Sequence, residues 1–348
     1  MPARTHLKEA AQFAVTLGVS AAGGFVAASL GMPAGWVAGG LLAVALAGLA
    51  GVHTSFPRGL QSPVFLVLGL YAGTGVSHET IEVMRTWPGS FAILGLSMTA
   101  LIAGSYRWLH VRCGWDRNAA LLASIPGALT LIVAVGESLK TDMKKVAISQ
   151  SLRLLILVEA IPLLALLIGM PERASLDAEL PAAGFRDLAL LLAAGIAASL
   201  LMTLLRLPGG WLVGGLAASA TLLLTGTVAA RLPDAVVIGC TIAMGAIAGS
   251  RFRPGDLAVL PRIARASLVA FSIATGISAL GAGAVTLLFG VNFVQTLLAF
   301  APGAIDALTI LAFQMNIDPA YVAAHHIARF VVLAAAVPLL ARWLARHP

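Results

Sequence analysis

Charge is scarce in this chain: only 11% of its 348 residues are Asp, Glu, Lys or Arg. That excludes a soluble domain, because no segment carries the polar surface that one needs. The longest polar stretch is a connector at 169–186. Cysteine is almost absent, and Cys113 and Cys240 alone support neither a disulfide framework nor a multi-cysteine metal cluster. Aromatic residues make up 6% and never interleave with a basic stripe, so the net charge of +7 and the pI of about 10.1 do not point to nucleic acid. What fills the chain is apolar: 59% of residues are hydrophobic and mean hydropathy is +0.95. Apolar runs long enough to span a bilayer as helices recur from end to end. The expected fold is therefore an all-α polytopic integral membrane protein. The first run, residues 10–30, is too long for a secretory leader and is expected to stay as a helix.

The chain repeats itself. PAGWVAGG at 33–40 returns as PGGWLVGG at 208–215, and IPGA at 125–128 returns as APGA at 301–304. Asp142, Arg153 and Pro162 reappear as Asp318, Arg329 and Pro338, each 176 residues on, and Gly69 and Gly73 as Gly245 and Gly249. Two homologous membrane repeats follow, 1–168 and 187–348, joined by the 169–186 connector.

Each half shows hydrophobic segments that would give twelve simple crossings in all, but that count leaves Lys and Arg evenly divided between the two sides. If the segments with the Pro-Gly breaks, 118–139 and 294–316, instead enter and leave on one side, the outer face keeps only Arg85, Arg173, Arg186 and Arg231. The inner face then collects the basic loop residues, including Lys140, Lys144, Lys145, Arg251, Arg253 and Arg262. The positive-inside rule thus favours about ten transmembrane crossings plus two re-entrant or broken Pro-Gly segments. Both termini are then cytoplasmic. Five crossings per half is an odd number, so the repeats are expected to be inverted.

The breaks are the candidate site. Pro126-Gly127 and Pro302-Gly303 free backbone groups that hydrocarbon cannot satisfy, and such backbone faces protein or water. A half-helix beginning after each break aims its dipole and free N–H groups at an anion. Arg153 and Arg329 follow the breaks inside the next helices, about 12 and 15 Å along them at 1.5 Å per residue. A charge at that depth costs about 3 kcal/mol or more unless paired or solvated. Either it snorkels to the surface or it faces the break and binds a carboxylate-like group through its planar fork. The expected substrate-binding residues are Pro126, Gly127, Ala128, Arg153, Pro302, Gly303, Ala304 and Arg329. Asp142 and Asp318 read as helix N-caps, and the PxGWxxGG motifs with the Gly pairs as helix-packing scaffold.

The halves differ at four positions that suit ion coupling: His325 and His326 replace Ser149 and Gln150, Asp306 replaces Thr130, and Glu159 has Ala335 as its counterpart. A free imidazole titrates near neutral pH, and a buried carboxylate can carry H+ or Na+.

PGALTLIVAVGESLKTDMKKVAISQSLRLLILVEAIP and APGAIDALTILAFQMNIDPAYVAAHHIARFVVLAAAVP resemble the duplicated signature of the AbrB family of membrane proteins, over nearly the whole chain. The resemblance implies a bacterial inner-membrane protein linked by family names to regulation of gene expression or to ammonia monooxygenase. Many members carry a Glu shortly after the Pro-Gly; here Leu131 and Ala307 stand in that region, with Asp306 one position earlier. A monooxygenase needs clustered metal ligands, and the seven histidines are scattered apart from His325 and His326. The residues accordingly point away from an enzyme, a cofactor or a metal. They point to a secondary transporter of a small organic anion bound near the midplane, with H+ or Na+ as coupling ion. The partners are the lipid bilayer and the solute, no nucleic acid is called for, and a homo-oligomer is compatible with the chain. The alternative is a membrane sensor acting indirectly on gene expression.

Overall fold

The computed structural model describes residues 2–127, 132, 133, 135, 136, 139, 141–167 and 181–346. Among them the chain is helical, with one isolated bridge between Ala182 and Arg231. The elements are α1 (Pro2–Ser29), α2 (Gly35–Leu49), α3 (Arg58–Gly73), α4 (His78–Val83), α5 (Trp87–Arg107), α6 (Arg117–Ser124) and α7 (Met143–Leu167). The second half contributes α8 (Phe185–Leu204), α9 (Gly210–Leu224), α10 (Asp234–Gly249), α11 (Leu260–Phe289), α12 (Phe293–Phe300), α13 (Ile305–Gln314) and α14 (Pro319–Arg346).

Six stretches are long and apolar enough to cross a bilayer: Lys8–Ser29, Met84–Arg112, Met143–Leu164, Phe185–Leu204, Leu260–Phe289 and Pro319–Ala336. They carry exposed apolar side chains, such as Leu96, Phe185, Leu204 and Leu287, as a lipid-facing surface does. The protein is a helical polytopic membrane protein. The helices α2, α3, α9 and α10 are only 15 or 16 residues long, about 22 to 24 Å at 1.5 Å per residue, less than the roughly 30 Å of hydrocarbon.

The chain forms two compact units, each assembled from both halves of the sequence. The first comprises Met1–Thr80, Leu155–Asp256 and Thr309–Ala320. Its short helices touch through glycine. A β-carbon on Gly69 would run into the Leu212 carbonyl, and one on Gly73 would lie 2.6 Å from the Leu216 carbonyl oxygen. The same closeness recurs with the halves exchanged: a β-carbon on Gly245 would lie 2.9 Å from the Val37 oxygen, and one on Gly249 2.7 Å from the Leu41 oxygen. Small hydroxyls add bonds across helices, as Ser20 Oγ to Ile242 O (2.7 Å) and Ser199 Oγ to Trp211 O (3.0 Å).

The second unit comprises Ile81–Leu154, Leu257–Leu308 and Tyr321–Pro348. Here α5 lies along α11, which in turn packs on α12, and Ser278 Oγ donates to Phe300 O at 3.0 Å. A core that includes Leu109, Leu122, Ile125, Val146 and Ile263 packs around α6, the short helix that leads into the first break.

Candidate functional site

Each break is approached by a helix of eight residues with a side-chain cap. Asp116 accepts from the N–H groups of Asn118 (3.0 Å) and Ala119 (3.2 Å) at the start of α6. Asn292, 176 residues on, accepts from Val294 (2.9 Å) and Gln295 (3.2 Å) at the start of α12. Both helices stop for the same reason. Ile125 (ψ 123°) and Ala301 (ψ 138°) precede Pro126 and Pro302, and a residue before proline is driven out of the helical region into extended backbone. Gly127 then takes φ +74°, where a side chain would be strained.

Breaking the helices strands their last carbonyls in the protein interior, and two arginines reach them. From α14, Arg329 Nη1 donates to Ala301 O at 2.7 Å and Nη2 donates to Gly303 O at 2.8 Å. From α7, Arg153 Nη2 donates to Ile125 O at 3.4 Å. Neither guanidinium snorkels: Arg153 is 8% exposed and Arg329 5%. The two breaks lie against each other. A β-carbon built on Gly127 would stand 3.5 Å from Gly303 O and 3.6 Å from Arg329 Nη2, and the charges of Arg153 and Arg329 are near enough to repel. Among the described residues neither arginine makes an ion pair with a carboxylate. Two obligate cations are thus held in the interior at the interrupted helices.

One turn before each arginine, a second side chain ties its helix to the one leading into the break. Gln150 Nε2 donates to Leu122 O at 3.1 Å, and His326 Nε2 donates to Leu298 O, also at 3.1 Å. His326 Nδ1 accepts from Arg329 Nη2 at 2.6 Å. A carbonyl cannot donate, so the proton sits on Nε2 and His326 is the neutral Nε2–H tautomer.

His325 takes no part in that contact. Its Nδ1–H donates to Tyr321 O at 2.8 Å, and its Nε2 stands 2.8 Å from Ser90 Oγ, which is 2.6 Å from the Tyr321 hydroxyl. With a neutral ring, Ser90 donates to His325 and Tyr321 donates to Ser90, closing a loop of three side chains. Trp87, Phe91 and Phe300 pack their rings around it.

The structure thus brings together Pro126, Gly127, Arg153, Pro302, Gly303, Arg329 and His326. Ala304 follows directly, and its carbonyl accepts the first helical bond of α13, from Leu308 N at 3.1 Å. Asp306 lies half-buried in the first turn of α13, where a carboxylate complements the positive helix end. Ala128 lies outside the described residues. Glu159 belongs to the first compact unit, with its Oε1 buried and without a hydrogen-bond partner among the described residues. The expected N-caps are present: Asp142 accepts from Lys144 N (3.2 Å) and Asp318 from Ala320 N (2.8 Å). Ser90 and Tyr321 were not expected. Nothing in the sequence marks Ser90, which reaches its partners across 231 and 235 positions.

Residues 36–345 match the family described as "Transition state regulatory protein AbrB". The chain is 25% identical over 333 residues to "Putative regulator AbrB" of Escherichia coli (strain K12), covering 93% of each protein. It is 24% identical over 360 aligned positions to "Uncharacterized protein YhjN" of Bacillus subtilis (strain 168), covering 94% of this chain and 92% of that one.

Proposed function

The chain belongs to the AbrB family, and from the arginines buried at its paired breaks we propose that it is a secondary transporter of a small organic anion. The solute binds near the midplane between Pro126–Ala128, Pro302–Ala304, Arg153 and Arg329. One observation carries this reading: two guanidinium groups sit in the interior at interrupted helices, with no carboxylate paired to either among the described residues. The proposal includes no catalysis, cofactor or metal. The coupling ion is H+ or Na+. Of the candidate groups, His325 has a hydroxyl relay through Ser90 and Tyr321 that suits a proton, and Asp306 sits at the second break. His326 is engaged in holding Arg329, and Glu159 belongs to the first unit.

The experiment is uptake into proteoliposomes. Wild-type protein should accumulate a radiolabelled carboxylate saturably, and Arg153→Gln should abolish uptake. Saturable binding without flux in the wild type would instead support the second reading, a membrane sensor that acts on gene expression indirectly. That reading draws on the printed names of the family and of the Escherichia coli relative, which speak of regulation.

We further propose that the protein resides in a bacterial inner membrane with both termini cytoplasmic, as inverted repeats with one break entering from each side. The basic residues of the expected inner loops support this arrangement. A compartment reporter fused after Lys145 should report the cytoplasm; a periplasmic signal there rejects the first hairpin.

A further inference from the structure

The two arginines stand at equivalent positions, yet their surroundings are not equivalent. A guanidinium has five N–H groups. Arg329 directs three of them to acceptors at 2.6 to 2.8 Å: the carbonyls of Ala301 and Gly303 and the ring of His326. Arg153 directs one, to Ile125 O at 3.4 Å. The bonds that would complete the match are missing on its side. Among the described residues the Gly127 carbonyl takes no bond from Arg153, although the Gly303 carbonyl takes one from Arg329. Among the described residues Gln150 binds Leu122 O and makes no hydrogen bond to Arg153, although His326 binds both Leu298 O and Arg329. Arg153 is nevertheless only 8% exposed. It is a buried cation whose donors are almost all unengaged among the described residues, beside a second cation that carbonyls hold in place.

Resting on the anion-site reading above, we infer that Arg153 is the guanidinium that takes the substrate, and that Arg329 is a fixed support of the second break. The substrate is consequently a monocarboxylate. The planar fork of Arg153 matches the two oxygens of one carboxylate. A dianion would need a second set of unengaged guanidinium donors, and three of the five on Arg329 are already held by Ala301, Gly303 and His326.

The test uses the purified full chain in detergent, reading the unfolding midpoint alone and in titrations with acetate, propionate, succinate and inorganic phosphate. Wild-type protein should be stabilised saturably by acetate or propionate and at least tenfold more weakly by succinate and phosphate. Arg153→Gln should raise the apparent Kd for the monocarboxylate by about 10- to 100-fold, the loss expected for charge-assisted hydrogen bonds. Its midpoint without anion should not fall, because a buried repulsion is removed. Arg153→Lys keeps the charge and should lose most of the affinity too, because it lacks the fork. Arg329→Gln and Arg329→Lys should both lower the midpoint of the anion-free protein. Wild-type affinity in Arg153→Gln, tighter binding of succinate or phosphate, or no carboxylate binding to the wild type overturns the inference. So does loss of affinity in the Arg329 variants with the anion-free midpoint unchanged. Binding that behaves as expected in a protein without flux leaves this inference standing and removes the transport reading instead.

Discussion

Gly69→Ala should sharply lower the unfolding midpoint of the protein in detergent, by an amount equivalent to about 2 to 3 kcal/mol, the upper range for an overpacked core. The added methyl would meet main chain rather than a flexible side chain. It would run into the Leu212 carbonyl oxygen and come within 3.0 Å of Leu212 Cα. Backbone inside a helix cannot step aside, so α3 and α9 must separate. That separation would also loosen Gly73 from Leu216 and Gly215 from Leu66 on the same interface. Gly245→Ala repeats the insult at the exchanged interface, against Val37 O at 2.9 Å and Leu41 N at 3.0 Å, and should be destabilising by a smaller margin. Gly18→Ala and Gly239→Ala are the controls, since a β-carbon at either meets nothing within 4 Å. If Gly69→Ala unfolds like those controls, close helix approach is not what the glycine provides.

These glycines were legible in the sequence as small-xxx-small spacing, because hydrophobic association is weak between helices in lipid and close approach has to be written into residue size. The breaks were legible for a related reason: proline and glycine act on their own backbone, so their effect needs no partner. The caps at Asp116 and Asn292 carry the same local signal and could have been found beside Asp142 and Asp318. Contacts between distant segments were legible only where the duplication doubled them. Arg153 and Arg329 drew notice as a pair, and both do reach their own break. The Ser90–Tyr321–His325 loop has no counterpart in the first half and depends on how α5 lies against α14, which no spacing encodes. His325 and His326 were both expected to serve ion coupling. A helix turns about 100° per residue, so adjacent histidines serve different surroundings, one facing α5 and the other the second break. The assembly of each compact unit from both halves was likewise invisible to a linear reading that divided the chain at 169–186.

His326 gives the most direct test of how the second break is held. In His326→Leu the Leu298 carbonyl loses its donor and Arg329 Nη2 loses an acceptor, both in a buried setting. An unsatisfied buried group costs about 1 to 3 kcal/mol, and more when it is charged, so the variant should lose on the order of 2 to 5 kcal/mol. His326→Gln should behave differently. The first half already places Gln150 at the equivalent position, where its amide donates to the equivalent carbonyl of Leu122 at 3.1 Å. A glutamine at 326 can make that bond to Leu298 O and turn its own oxygen toward Arg329, so the expected loss is under about 1 kcal/mol. Unfolding midpoints of both variants in detergent decide the matter. Equal losses for Leu and Gln would mean that ring packing, and not the pair of hydrogen bonds, is what His326 supplies. A tolerated glutamine beside a damaging leucine would show that the two halves share one way of anchoring a helix to its break, with histidine added where an arginine must also be held.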